Sequence, residues 1–248
     1  MNLIVISELF PPEETSTAYI MGEITKTLSD KYNVTIVCGP EVYDQNKLTV
    51  LPKSSLIAGV TTIRVKGIKE NKANKLSRIR KFLLMSWRLY KASKKVINKG
   101  DKVLLVSNPF PLLILMAFHR KKMDYEISFL AHDLFPEPLL MRFKLPNLVY
   151  RQCLNIFNRS YARMDKIISL GRDMTDVLRE KTMPYNPNLE IIQIENWGDI
   201  NSIYPMDTHS DSDKITIEYA GNMGKSQKLD ALIEIFSKAN NKDLYLDF

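Results

Sequence analysis

Three short strings place reactive side chains where an apolar run gives way to a loop or helical pattern. The first is Phe129-Leu130-Ala131-His132-Asp133-Leu134-Phe135-Pro136-Glu137-Pro138. A strand end fixes a His-Asp pair while the loop exposes it. His132 can take or give a proton near neutral pH, and Asp133 can accept a hydrogen bond from a sugar hydroxyl or act as a base. The same residues also fit a helix cap followed by a proline-stiffened turn. The second string, Tyr219-Ala220-Gly221-Asn222-Met223-Gly224-Lys225-Ser226-Gln227, sets glycines between a strand and a helix. That spacing lets backbone approach a diphosphate, the helix N-terminus offers unpaired N–H groups, and Lys225 adds a full charge. The third, Glu8-Leu9-Phe10-Pro11-Pro12-Glu13-Glu14, follows the first apolar run, and Thr15, Ser16 or Thr17 can cap the next helix. It lacks the glycines of a dinucleotide fingerprint. Of the other histidines, His119 beside Arg120, Lys121 and Lys122, and His209 in a polar stretch, are expected in solvent.

A fourth segment carries charge instead of chemistry. Lys72, Lys75, Arg78, Arg80, Lys81, Arg88, Lys91, Lys94, Lys95 and Lys99 fall within residues 71–100, which contain no Asp or Glu. The whole chain has 35 basic and 28 acidic residues, so without these ten the balance turns acidic. Leu76, Ile79, Leu83, Tyr90 and Ile97, with Phe82, Leu89 and Val96, recur near helical spacing, which predicts a basic amphipathic helix or helix pair. Its apolar side packing on a sheet, with the charges in water, is the ordinary arrangement. A merely soluble helix mixes signs, however, and anionic lipid attracts such a segment by about 1 kcal/mol per basic residue. A peripheral contact with an anionic membrane is the expectation.

The elements that must position these strings alternate. β-rich runs at Leu3–Ser7, Val34–Cys38, Val60–Val65, Val103–Ser107, Ile127–Ala131, Lys166–Leu170 and Glu190–Ile194 are separated by helical patterns. That order predicts an α/β fold, a Rossmann-like doubly wound parallel sheet covered on both faces. The pattern pauses at Asn196-Trp197-Gly198-Asp199, giving a first domain over 1–198. Residues 199–248 hold a linker and one βαβ unit: a strand at Ile215–Ala220, a helix from about Gln227 to Asn240 and a strand at Leu244–Phe248. One βαβ unit cannot bury both faces of its sheet, so it needs the first domain or further chain.

Composition bounds the rest. At 45% hydrophobic and 25% charged residues the chain is globular in type. Cys38 and Cys153 read as core thiols without disulfide or zinc spacing, which implies a reducing, cytoplasmic setting. The N-terminus reads as a strand and not as a signal peptide. The apolar run from Val103 to Phe118 is broken by Asn108, Pro109 and Pro111 and is shorter than the ~20 residues of a membrane span. A nucleic-acid partner is not expected, since no helix-turn-helix, zinc or RNA-binding-sheet pattern is present.

In their order, five strings resemble glycosyltransferase family 4, bacterial surface-polysaccharide type. They are Phe10-Pro11-Pro12-Glu13, Asp133-Leu134-Phe135-Pro136-Glu137, Ile168-Ser169-Leu170-Gly171-Arg172-Asp173-Met174, Glu195-Asn196-Trp197-Gly198-Asp199 and Tyr219-Ala220-Gly221-Asn222-Met223-Gly224. The resemblance implies a GT-B architecture, with an N-terminal domain that binds the acceptor and a second Rossmann-like domain that binds the nucleotide sugar. It implies transfer with retention, without metal or cofactor, from a UDP- or GDP-linked sugar to a polyprenyl-diphosphate-linked saccharide, in capsule, O-antigen or exopolysaccharide synthesis. His132 or Asp133 would stand at the reacting centre, with Pro12, Glu13, Thr15 and Glu137 on the acceptor side. Gly221, Asn222, Gly224 and Lys225 would hold the donor phosphates, replacing a cation with backbone N–H groups and charge. The basic helix would hold the protein to the inner face of the cell membrane. Thr15-Ser16-Thr17 stands where many members carry glycines, and Asn222 where many carry arginine. The family's paired donor-side glutamates would fall beyond Phe248, so the 248 residues alone are expected to be inactive, with a longer parent chain or a partner supplying the donor domain. A non-catalytic, membrane-associated acceptor-binding subunit is the alternative.

Overall fold

The structure, a computed structural model, describes residues 1–41, 57–71, 74–137, 146–199, 203–204, 214–221, 223, 227–239 and 241–248. They divide into two compact units, Met1–Trp197 and Gly198–Phe248.

The first unit is a seven-stranded sheet of β1 (Asn2–Ser7), β2 (Asn33–Cys38), β3 (Val60–Arg64), β4 (Lys102–Val106), β5 (Glu126–Ala131), β6 (Lys166–Ser169) and β7 (Glu190–Gln193). The spatial order is β3-β2-β1-β4-β5-β6-β7 and every pair is parallel. The expected Rossmann-like doubly wound sheet is present. Continuous apolar strands arise because both faces are packed. Ile4, Ile6, Val103, Leu105, Ile127 and Phe129 join one core, while Leu3, Val5, Leu104, Val106 and Leu130 join the other. The alternation follows the two-residue period of a strand.

Helix α1 (Ser16–Ser29) packs on the second face through Met21, Ile24 and Leu28. The other face carries α2 (Lys75–Ser93), α3 (Pro111–Arg120), α4 (Asn147–Tyr161) and α5 (Arg172–Thr182), which supply Met85, Leu89, Leu112, Met116, Phe157 and Leu178. Thr15 Oγ1 accepts the Ala18 N–H at 3.2 Å and caps α1. Asn74 Oδ1 does the same for α2, accepting from Leu76 at 2.9 Å.

The orientation of α2 departs from the sequence pattern. Its buried seam is Lys81, Met85, Ser86, Leu89 and Ser93, whereas Leu76, Ile79 and Leu83 are exposed. Lys81, expected at a membrane, is buried between two carboxylates, with its Nζ 3.1 Å from Glu70 and 3.9 Å from Glu8. Arg78 pairs with Glu70 at 3.4 Å, and Arg88 donates to the carbonyls of Lys66 and Gly67 at 2.7 and 2.9 Å. Arg80 also donates to the Lys69 carbonyl at 3.4 Å, so four basic residues of this helix clamp the segment between β3 and α2. Arg80, Lys91, Lys94 and Lys95 remain exposed. Lys72 and the Lys75 side chain lie outside the described residues.

His119 is also buried and not solvated. Its Nδ1 lies 3.2 Å from the Tyr125 hydroxyl, its ring meets Tyr90 edge-on at 5.7 Å, and burial pushes its pKa down. Cys38 is buried, and burial raises its thiol to about 11; Cys153 is half-buried, and both are free.

The second unit holds β8 (Ile215–Glu218) parallel to β9 (Leu244–Asp247), with α6 (Leu229–Ser237) between them. Lys228, at φ 49°, opens α6 in the left-handed region. No residue of α6 is buried, the expected state of a lone βαβ unit.

Leu105 is fully buried on central strand β4. Leu105→Ala should lower unfolding free energy by about 2–5 kcal/mol, read from urea titration.

Candidate functional site

Parallel α/β sheets bind ligands outside the carboxyl ends of the strands, at the point where the winding reverses. Here that point lies between β1 and β4, since α1 leaves β1 toward one face and α3 leaves β4 toward the other. The loops after β1, β4 and β5 meet there, and each contains a cis proline: Pro12, Pro109 and Pro136.

The β1 loop is fixed from several sides. The Glu8 N–H donates to the Asn108 carbonyl at 3.4 Å, the Gly39 N–H donates to the Glu8 carbonyl at 3.0 Å, and the Arg64 guanidinium donates to the carbonyls of Pro11 and Gly39. A Cβ on Gly39 would stand 2.4 Å from the Glu8 oxygen, and one on Gly22 would stand 2.7 Å from Pro11 Cγ, so these two glycines set how closely β2 and α1 approach the loop. Pro12 and Glu13 are half-buried. Thr15 is likewise half-buried, with its hydroxyl committed to the helix cap.

Two hydroxyls hold the β5 loop. Ser107, at the end of β4, accepts the N–H groups of both His132 and Asp133 at 3.2 Å. The Tyr161 hydroxyl accepts the Phe135 N–H at 3.1 Å and donates back to the Phe135 carbonyl at 3.3 Å. Phe135 stacks on Phe110 with centroids 4.7 Å apart, joining the β4 and β5 loops. Lys181 of α5, itself buried, donates to Glu137.

This scaffold leaves polar atoms unused. His132 Nε2, Glu8 Oε1 and Glu137 Oε2 are buried atoms without a hydrogen-bond partner, each at the carboxyl edge of the sheet. Buried polar atoms are almost always bonded, so each exception calls for an explanation; the other three among the described residues, Thr25 Oγ1, Ser93 Oγ and Asn158 Oδ1, lie within helices. Burial lowers the His132 pKa, with the Asp133 charge opposing it, which favours the neutral ring. Asp133 is exposed. Burial also raises the Glu8 carboxyl to about 7, partly offset by Lys81.

The structure thus gathers Pro12, Glu13, His132, Asp133 and Glu137 at one edge. Glu8, Ser107, Asn108 and Lys181 belong there too and were missed by sequence reasoning, although Glu8 sits inside a quoted string. Gly221 follows β8 in the second unit, its ideal Cβ position 3.0 Å from the Tyr219 hydroxyl. Asn222, Gly224 and Lys225 lie outside the described residues. Among the described residues no group of three or more His, Cys, Asp or Glu could hold a metal, and no helix is long and apolar enough to cross a membrane. A cavity of about 460 Å³ lies elsewhere, on the α1 face, lined by Leu28, Lys102, Leu130, Ile168 and Trp197. It contains none of these loop residues and marks sheet surface that α1 leaves uncovered.

No protein-family model matches the chain. It is 23% identical over 255 aligned positions to the probable glycosyltransferase WbjE of Pseudomonas aeruginosa, covering 97% of this chain and 60% of that protein. The chain therefore spans well under two thirds of that relative's length. Two solved structures are similar. One, a trehalose-6-phosphate synthase studied for glycosyl transfer with retention, matches with a TM-score of 0.59 at 12% identity, over 98% of this chain and 62% of that one. The other, the N-terminal domain of Candida albicans trehalose-6-phosphate phosphatase, matches at 0.56 and 11%, over 81% and 49%. These likenesses show the fold. It is a Rossmann-like α/β fold.

Between pH 4.5 and 7 the folded chain holds the Glu8 proton that the unfolded chain releases, so this group makes stability fall as pH rises and then level off. The whole effect is about 3 kcal/mol. Glu8→Gln should flatten the difference in urea midpoint between pH 5 and 8; an unchanged difference would remove Glu8 as its source.

Proposed function

We propose that the chain is part of a retaining glycosyltransferase that moves a sugar from a UDP- or GDP-linked donor to a polyprenyl-diphosphate-linked saccharide in surface-polysaccharide synthesis. The observation that carries the reading is the match of nearly the whole chain to a probable glycosyltransferase. The edge of the sheet supports it with groups suited to a polyol. His132 offers a neutral, unpartnered Nε2, Asp133 an exposed carboxylate beside it, and Glu137 a carboxylate held by Lys181. Either His132 or Asp133 would orient the acceptor hydroxyl or assist its proton transfer. Pro12, Glu13 and Thr15, in the loop after β1, would stand on the acceptor side.

Donor phosphates would lie against Gly221, Asn222, Gly224 and Lys225, where backbone N–H groups and the lysine neutralise the leaving diphosphate without metal or cofactor. The donor pocket would be completed by further polypeptide, from a longer chain or a partner. The exposed Arg80 and Lys91 of α2, with Lys94 and Lys95 just beyond its end, would meet anionic headgroups and bring the acceptor domain to the inner face of the cell membrane.

The test is transfer of labelled sugar from UDP- and GDP-sugars into lipid-extractable material by membranes of the native host expressing the protein. His132→Ala or Asp133→Asn should lower incorporation about a hundredfold or more, at unchanged protein level. Full incorporation in both variants would sink the assignment of these residues; none in wild type with any donor would sink the enzyme.

A further inference from the structure

We infer that the outer surface of α2, α3 and α4 is a membrane-insertion face that holds the protein chiefly by burying apolar side chains in lipid, with its basic residues in a secondary role. This rests on the peripheral reading above but names different residues and a different force. The three helices lie side by side on one face of the sheet. Their spans, 75–93, 111–120 and 147–161, contain no Asp or Glu. Outward from them point Leu76, Leu83 and Trp87 of α2, Phe118 of α3, and Leu148 and Ile156 of α4, from 45% to 75% exposed. Soluble monomers seldom leave so many large apolar side chains on one surface.

Two features favour lipid over a protein partner. The apolar positions of α2 are interleaved with Arg80 and Lys91, and Lys94 follows its last turn. Long basic side chains can lay their stems along an apolar layer and lift their charges to the headgroups. Protein interfaces instead deplete lysine at their centre. The acid-free surface also matches an anionic sheet of headgroups, and tryptophan is enriched at that depth. Because Lys81, Arg78 and Arg88 are engaged within the protein, fewer charges remain to hold the membrane than the sequence offers. Insertion must then supply most of the hold.

The chain has two tryptophans, Trp87 and Trp197, so a Trp197→Phe background isolates Trp87. With vesicles of phosphatidylcholine and phosphatidylglycerol, Trp87 emission should shift to the blue and be quenched by brominated lipid. Flotation should fall less than about threefold between about 0.1 and 1 M NaCl, because salt screens headgroup attraction and not burial. Leu83→Ser with Leu148→Ser should weaken flotation about tenfold, with melting and circular dichroism unchanged. Lys91→Glu with Lys95→Glu should weaken it only at low salt. An unquenched Trp87, flotation abolished by salt, or a dimer in solution that the serine pair breaks would each overturn the proposal. Lipid binding is read without turnover, so absence of sugar transfer leaves this test intact.

Discussion

Because strand order runs outward in both directions from β1 and β4, their connections depart toward opposite faces and neither can close over the strand ends. That opening must be walled by loops, and loop backbone brings polar groups that need partners. The structure supplies them sparingly. One serine hydroxyl serves two N–H groups of the β5 loop, one arginine serves two carbonyls around the β1 loop, and one tyrosine serves both backbone groups of Phe135. With the backbone settled this way, the side chains of His132, Glu8 and Glu137 retain unbonded atoms at the rim.

Burial on two faces also explains what could be read directly. Strands such as β1 are apolar at successive positions, Leu3 to Ile6, because neither side meets water, and such runs bounded by turn residues are visible without partners. The loops at their ends were placed correctly for the same reason, so the His132-Asp133 corner could be located before its geometry was known. What could not be read was the use of residues far apart in sequence. Ser107 resembles any serine ending a strand until the turn of β5 arrives above it.

The orientation of α2 shows the limit more clearly. Its apolar residues lie on two sides of the helix, so spacing alone does not choose between Leu76-Ile79-Leu83 and Met85-Leu89 as the packed seam. The choice is made by Lys81, which can be buried because Glu8, 73 positions earlier, and Glu70 surround it. A lysine without such partners would turn outward and carry the helix with it. His119 is likewise hidden by Tyr90 and Tyr125 although Arg120, Lys121 and Lys122 follow it in sequence.

The pair of hydrogen bonds between Tyr161 and Phe135 has an evolutionary consequence. By gripping both backbone groups of one residue, it makes Phe135 a fixed post between the His132-Asp133 corner and the chain that follows. Substitutions or insertions beyond the post need not propagate back to the corner. Descendants of this scaffold could remodel the chain on that side while inheriting the His132-Asp133 corner unchanged.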